Sequence, residues 1–135
     1  MKEKEHKISF CLKDIVDQKG LYEKVLEETT SIWSSPKASR GRSFSDIWNS
    51  VFMGKVAEAW MVQEKGLKWT EERWHDLQDS DGTLIEIKTI GTIAALDNTL
   101  RRMKSPSVKS WNKSKEVWVF LSDGNEWSYI LNENL

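Results

Sequence analysis

This chain has almost no cysteine, no long apolar run and almost no net charge. Cys11 is the only cysteine in 135 residues, which excludes an intramolecular disulfide and any cysteine-rich zinc site. A reducing, cytoplasmic setting fits this best, or a host cytoplasm if the chain is phage-encoded. No segment approaches the roughly 18 apolar residues that a membrane span needs, and the charged start, Met1 to Lys7, has no apolar run of signal-peptide length behind it. The formal net charge is −1, with 30% of residues charged, so no global field draws the chain to a nucleic acid or a membrane surface. Any polyanion site has to come from local clustering. Internal repeats and low-complexity segments are absent, and the length suits a single domain with a real core.

What the chain does have is tryptophan, eight of them, and a clear hairpin. Asp79-Ser80-Asp81-Gly82 is turn chemistry, with Gly82 suited to positive φ, and Thr83 to Thr89 is rich in strand formers. Alternation along a strand puts Leu84, Glu86 and Lys88 on one face and Thr83, Ile85 and Ile87 on the other. Across the turn, Asp76 can face Glu86. Two carboxylates and a lysine on adjacent strands form a candidate site for a hard divalent cation. Asp79 and Asp81 are rivals to Asp76, but they lie in the turn and suit it chemically.

Upstream, the spacing of Ile15, Val16, Tyr22, Val25, Leu26, Thr29, Ile32 and Trp33 predicts one or two amphipathic helices between Leu12 and Trp33, broken near Gly20. Glu23, Glu27 and Glu28 read as a solvated face without chemistry. Residues 34–42 read as a loop, with Pro36 and Gly41 against any regular element; Lys37, Arg40 and Arg42 there could grip phosphates, or simply decorate a surface connector. The strongest helix runs from about Ser43 to Lys65, with a serine cap, Asp46 in the first turn and Gly66 as its stop. A 100° step places Glu58 on the same stripe as Phe44, Ile47, Trp48, Val51 and Val62, with Lys55 close by. A carboxylate among apolar neighbours needs a compensating partner; a glutamate at the stripe's edge reaching solvent is the ordinary alternative.

Downstream, a loop and a helix or helical turns are expected after Gly91, ending before Pro106. Residues 98–115 carry Arg101, Arg102, Lys104, Lys109, Lys113 and Lys115 and no acidic residue, with Trp111 among them. This is the one electropositive segment and the best candidate for contact with a nucleic-acid backbone; a solvated helix face accounts for the same charges. Glu116 to Leu121 and Glu126 to Leu131 read as antiparallel strands joined by a turn. The whole is an α/β arrangement around a mixed sheet.

In this order, a glutamate on a helix and then an aspartate and Glu-x-Lys on successive strands of one hairpin, the chain resembles the PD-(D/E)xK nuclease superfamily, with its restriction-endonuclease-like fold. The resemblance is carried by Gly54-Lys55-Val56-Ala57-Glu58 running on to Gly66, by Asp76 before an apolar residue and a turn, and by Glu86-Ile87-Lys88. It covers residues 43–89, with 116–131 as further strands of the sheet. His75 stands where the name-giving proline would be; it reads as structural, as does Trp111. Residues 1–42 match no particular subfamily and are expected to form an N-terminal helical extension and basic loop before a catalytic core at 43–135.

The resemblance implies a Mg²⁺-dependent endodeoxyribonuclease, with Mn²⁺ able to substitute, acting on DNA as a homodimer so that both strands are cut. Asp76 and Glu86 would bind the metal, with the Ile87 carbonyl as a further oxygen ligand. Lys88 would orient or help deprotonate the attacking water and hold the phosphate, and Glu58 would join through a water or a second metal site. Lys37, Arg40, Arg42, Arg101, Arg102, Lys104 and Lys109 would contact the DNA backbone. Two other readings stay open: an inactive nucleic-acid-binding or assembly module of the same fold, and a nuclease subunit that needs a partner protein.

Overall fold

The computed structural model of the chain describes residues 8–70, 76–103 and 116–134. His75, Trp111, Lys104 and Lys109 lie outside them. The elements in order are β1 (Ser9–Cys11), a 3-10 turn (Leu12–Asp14), α1 (Gln18–Trp33), α2 (Pro36–Ser39), α3 (Phe44–Lys65), β2 (Lys68–Trp69), β3 (Leu77–Gln78), β4 (Leu84–Ile90), a second 3-10 turn (Ile93–Ala95), α4 (Leu96–Met103), β5 (Glu116–Ser122) and β6 (Glu126–Asn134). The fold is mixed α/β, with one six-stranded sheet ordered β1-β6-β5-β4-β3-β2. Only β4 and β5 pair in parallel, in the register Glu86 with Val117 and Lys88 with Val119; every other pair is antiparallel. Among the described residues no helix is long and apolar enough to cross a membrane.

Local chemistry explains most boundaries. Ser43 accepts a hydrogen bond from the Asp46 N–H (3.1 Å) at the start of α3, and Gly66, at φ 68°, ends it in the left-handed conformation. In the β3–β4 turn, Asp79 Oδ1 accepts from the N–H groups of Asp81 and Thr83, both at 2.9 Å, while Gly82 takes φ 82°. Asp79 is thereby committed to the turn, as its position in the sequence suggested.

Three expectations need correction. The helix does not break at Gly20: it begins at Gln18, and Asp17 folds back to accept from the Gly20 N–H at 2.8 Å. A Cβ on residue 20 would come within 2.5 Å of Asp17 Oδ2, so the glycine makes room for the cap. Residues 34–42 are not all loop, because Pro36 sits at the first helical position behind a Ser35 cap and starts one turn of helix. The N-terminal region is not purely helical, since Ser9–Cys11 joins the sheet edge against β6.

Helices α1 and α3 cover one face of the sheet and α4 the other. On the first face Phe10 stacks on Trp60 (ring centroids 4.8 Å) and on Trp127 (5.8 Å), over Phe120, Ile85, Ile87 and Leu77. On the second, Leu100 of α4 packs with Ile90, Val117, Val119 and Ile130. Gln63 near the end of α3 holds the chain before α1, accepting from the Val16 N–H and donating to the Asp14 carbonyl, both at 2.7 Å.

Trp127 ties the sheet to α3: it is fully buried and its Nε1 donates to the Met53 carbonyl at 2.9 Å. Trp127→Phe leaves a void and removes that hydrogen bond, and is expected to lower stability by about 2 kcal/mol in urea denaturation. An unchanged midpoint would show that α3 is held in place by other contacts.

Candidate functional site

Glu58 is turned inward on α3 and is only 6% exposed. One turn earlier on the same face, Lys55 donates to Glu58 Oε1 at 3.3 Å and reaches Glu28 of α1 at 3.7 Å. Lys24 of α1 and Lys55 both lie over the Trp69 ring, at 4.8 and 5.3 Å from its centroid. Burial pushes the Glu58 carboxyl up to about 8, and the negative charge of nearby Asp76 pushes the same way, against the pull of Lys55. Burial works to lower Lys55, but Glu58, Glu28 and Asp76 outweigh it, and its net shift is upward. Lys55 therefore stays cationic while Glu58 holds its proton at neutral pH.

Asp76 stands at the start of β3. The register of Leu77 with Ile85, continued by one residue, sets it opposite Glu86. Its hydrogen bonding departs from a regular ladder: the Asp76 N–H donates to the Ile85 carbonyl at 3.3 Å, and Asp76 Oδ2 accepts from the Ile87 N–H at 2.8 Å. The carboxylate is thus laid against the edge of β4. Since the N–H and C=O of one strand residue point the same way, the Ile87 carbonyl also leans toward that edge.

The alternation in β4 then divides the expected residues. Ile85 and Ile87 face α1 and α3, where Glu58 and Lys55 are. Glu86, buried at 4% exposure, lies beside Val117, and Lys88 beside Val119, on the face that α4 covers. Asp76 sits at the edge between the two. The structure brings Asp76 together with Glu58 and with the backbone of the Glu86–Lys88 segment, but it does not gather all four side chains on one face. Among the described residues, no group of three or more His, Cys, Asp or Glu side chains is placed to hold a metal ion.

Lys88 instead opens on a cleft of about 480 Å³ at the C-terminal end of β4, with Arg40, Ser50, Thr89, Ile90, Thr99 and Arg102 in its walls. Of the other basic residues, Lys37 and Arg101 are exposed on α2 and α4. Arg42 is turned back, donating from Nε to the Ser39 carbonyl (3.0 Å) and from Nη2 to the Ala38 carbonyl (3.1 Å), so it closes the end of α2.

Sequence reasoning passed over two members of this site. Lys55 lies beside the stripe, and its spacing of three from Glu58 on one helix is the signal for a pair. Glu28, read as solvated, meets Lys55 across the α1–α3 contact, which no local pattern reveals. Carboxylate and carbonyl oxygens are the donors a hard divalent cation takes; here Asp76 lies against the Ile87 backbone, while Glu58 and Glu86 stand on opposite faces of the sheet. Mg²⁺ is commonly held by one or two carboxylates with waters and substrate phosphates completing its shell, so a cage of three is not required.

The shift at Glu58 has a measurable sign. Its folded pKa lies above the unfolded value, so its stabilising contribution is complete below about pH 4.5 and is lost as pH rises to about 8. Glu58→Gln removes this dependence. Relative to wild type, the variant is expected to gain about 1.4 kcal/mol per pH unit across that window in denaturant titrations. A constant difference between the two proteins from pH 5 to 8 would mean that Glu58 is ionised in the fold.

No protein-family model, no curated protein and no solved structure matches this chain.

Proposed function

We propose that the chain is a Mg²⁺-dependent endodeoxyribonuclease of the PD-(D/E)xK type, with a restriction-endonuclease-like fold, working as a homodimer in the cytoplasm. The observation that carries this reading is the placement of Asp76 beside buried Glu58 and against the Ile87 N–H at the edge of β4. Supporting it is the order of elements, with the glutamate on a helix and the aspartate and Glu-x-Lys on successive strands of one hairpin. A second carboxyl beside a desolvated one is unfavourable without a cation, and Lys55 is bonded to Glu58 and feels the charge of Asp76.

In this reading Asp76, Glu86 and the Ile87 carbonyl hold the ion, and Glu58 stands behind Asp76. Bound Mg²⁺ supplies a charge sink for the phosphoryl oxygens and makes a water nucleophilic near neutral pH. Lys88 holds the phosphate from the cleft side. Lys55 fixes the position of the Glu58 carboxyl by donating to it. Exposed Lys37 and Arg101 contribute to the general attraction of DNA.

A second reading, a DNA-binding module without activity, is favoured by one observation: β4 puts Glu86 and Glu58 on opposite faces of the sheet. The two separate on cleavage of supercoiled plasmid, branched DNA and single strands with Mg²⁺ or Mn²⁺. The nuclease is expected to nick or cut at least one of them, to stop in EDTA, and to slow by about 100-fold or more in Asp76→Ala and Lys88→Ala. A wild type inert on all three that still binds DNA leaves the binding module standing.

A further inference from the structure

The cleft beside Lys88 has a composition of its own. Arg40 comes from the end of α2, Lys88 from β4 and Arg102 from α4, and among the described residues no carboxylate stands in its walls. Three cations from three separate elements converge on one concavity in a chain whose net charge is −1. Ser50, Thr89, Ile90 and Thr99 complete the lining of the same space.

Arg40 is held ready. It is the only non-glycine residue with positive φ among the described ones, at φ 50° and ψ 41°, with its N–H bonded to the Pro36 carbonyl at 3.2 Å. Gly41 follows at φ 74°, and Arg42 closes the turn by capping the Ala38 and Ser39 carbonyls. Left-handed backbone at a charged residue costs free energy, and such conformations gather where a side chain must be aimed.

We infer that this cleft is a phosphate site that admits one nucleotide unit of an unpaired DNA strand, held by Arg40, Lys88 and Arg102. A volume of about 480 Å³ is in the range that encloses small ligands. It accepts a phosphate with its sugar and base, whereas a duplex, with both backbones fixed to a wide paired core, can only lie across the mouth. Lys88 is then a positioning residue for the phosphate, set apart from the Glu58–Lys55 pair by the sheet. The inference deepens the nuclease reading and rests on it for the choice of nucleic acid as the source of the phosphate.

The test measures binding in EDTA, so that it does not depend on cleavage. Fluorescence anisotropy follows the full chain with a labelled unpaired oligodeoxynucleotide, with the same strand annealed to its complement, and with thymidine 5′-monophosphate as competitor. The unpaired strand is expected to bind at least about tenfold more tightly than the duplex. Arg40→Asn, which tolerates left-handed backbone, Lys88→Met and Arg102→Ala should each weaken it by about tenfold and lower the salt slope by about 0.7, while Lys19→Ala at the far end of α1 changes neither. Wild-type affinity in all three cleft variants, no binding at all, or a duplex bound as tightly through the same residues would overturn the inference. A monophosphate competing as strongly as the strand would overturn the assignment to a strand and give the cleft to free nucleotides. Cleft variants that lose binding in a protein that cuts nothing would uphold the phosphate site and remove the nuclease.

Discussion

A carboxyl group buried where α3 meets the sheet is the constraint around which the structure is arranged. Taking Glu58 out of water is unfavourable, and the surroundings answer it in two ways: Lys55 is bonded to it from the preceding turn, and its proton is retained at neutral pH. Lys55 is itself desolvated and depends on Glu28 and Asp76 as well as Glu58. The arrangement therefore requires α1, α3 and β3 to keep fixed relative positions. The Trp127 bond to the Met53 carbonyl and the Gln63 bonds to Val16 and Asp14 hold α3 at its middle and near its C-terminal end.

Strand β4 acts as a partition. One face meets Glu58 and Lys55 across Ile85 and Ile87, and the other carries Glu86 and Lys88 toward α4 and the cationic cleft. Asp76 is the side chain that touches the partition from its edge, through the Ile87 N–H. The Glu58 carboxyl is thereby kept from Lys88, while Glu86 shares the Lys88 face. A site in which all of them shared one face would collapse into ordinary ion pairs.

Features set by neighbouring residues were readable in the sequence. The cap at Ser43, the stop at Gly66, the turn chemistry of Asp79 and Gly82 and the alternation of β4 all follow from local spacing, while the stripe of α3 left Glu58 between burial and solvent. What was not readable depends on distant contacts. Alternation says that Glu86 and Lys88 share a face, but which face is decided by where α3 and α4 pack. Pro36 looks like a helix breaker until Ser35 is recognised as a cap for it. Gly20 looks like a break because the fold-back of Asp17 over its bare backbone leaves no pattern in composition. Three residues at Ser9–Cys11 carry too little signal to announce a strand whose partner lies at the other end of the chain.

That last pairing also orders events in time. Ser9 Oγ donates to Glu126 Oε1 at 2.6 Å across 117 residues of chain, so β1 cannot dock until β6 exists. Closing so long a loop is slow compared with forming α1, α3 or the β3–β4 hairpin, whose contacts are mostly local. As the chain emerges from a ribosome, the Glu58 and Asp76 elements can assemble before β6 is complete, and only then does Trp127 give Phe10 the second wall of its slot beside Trp60.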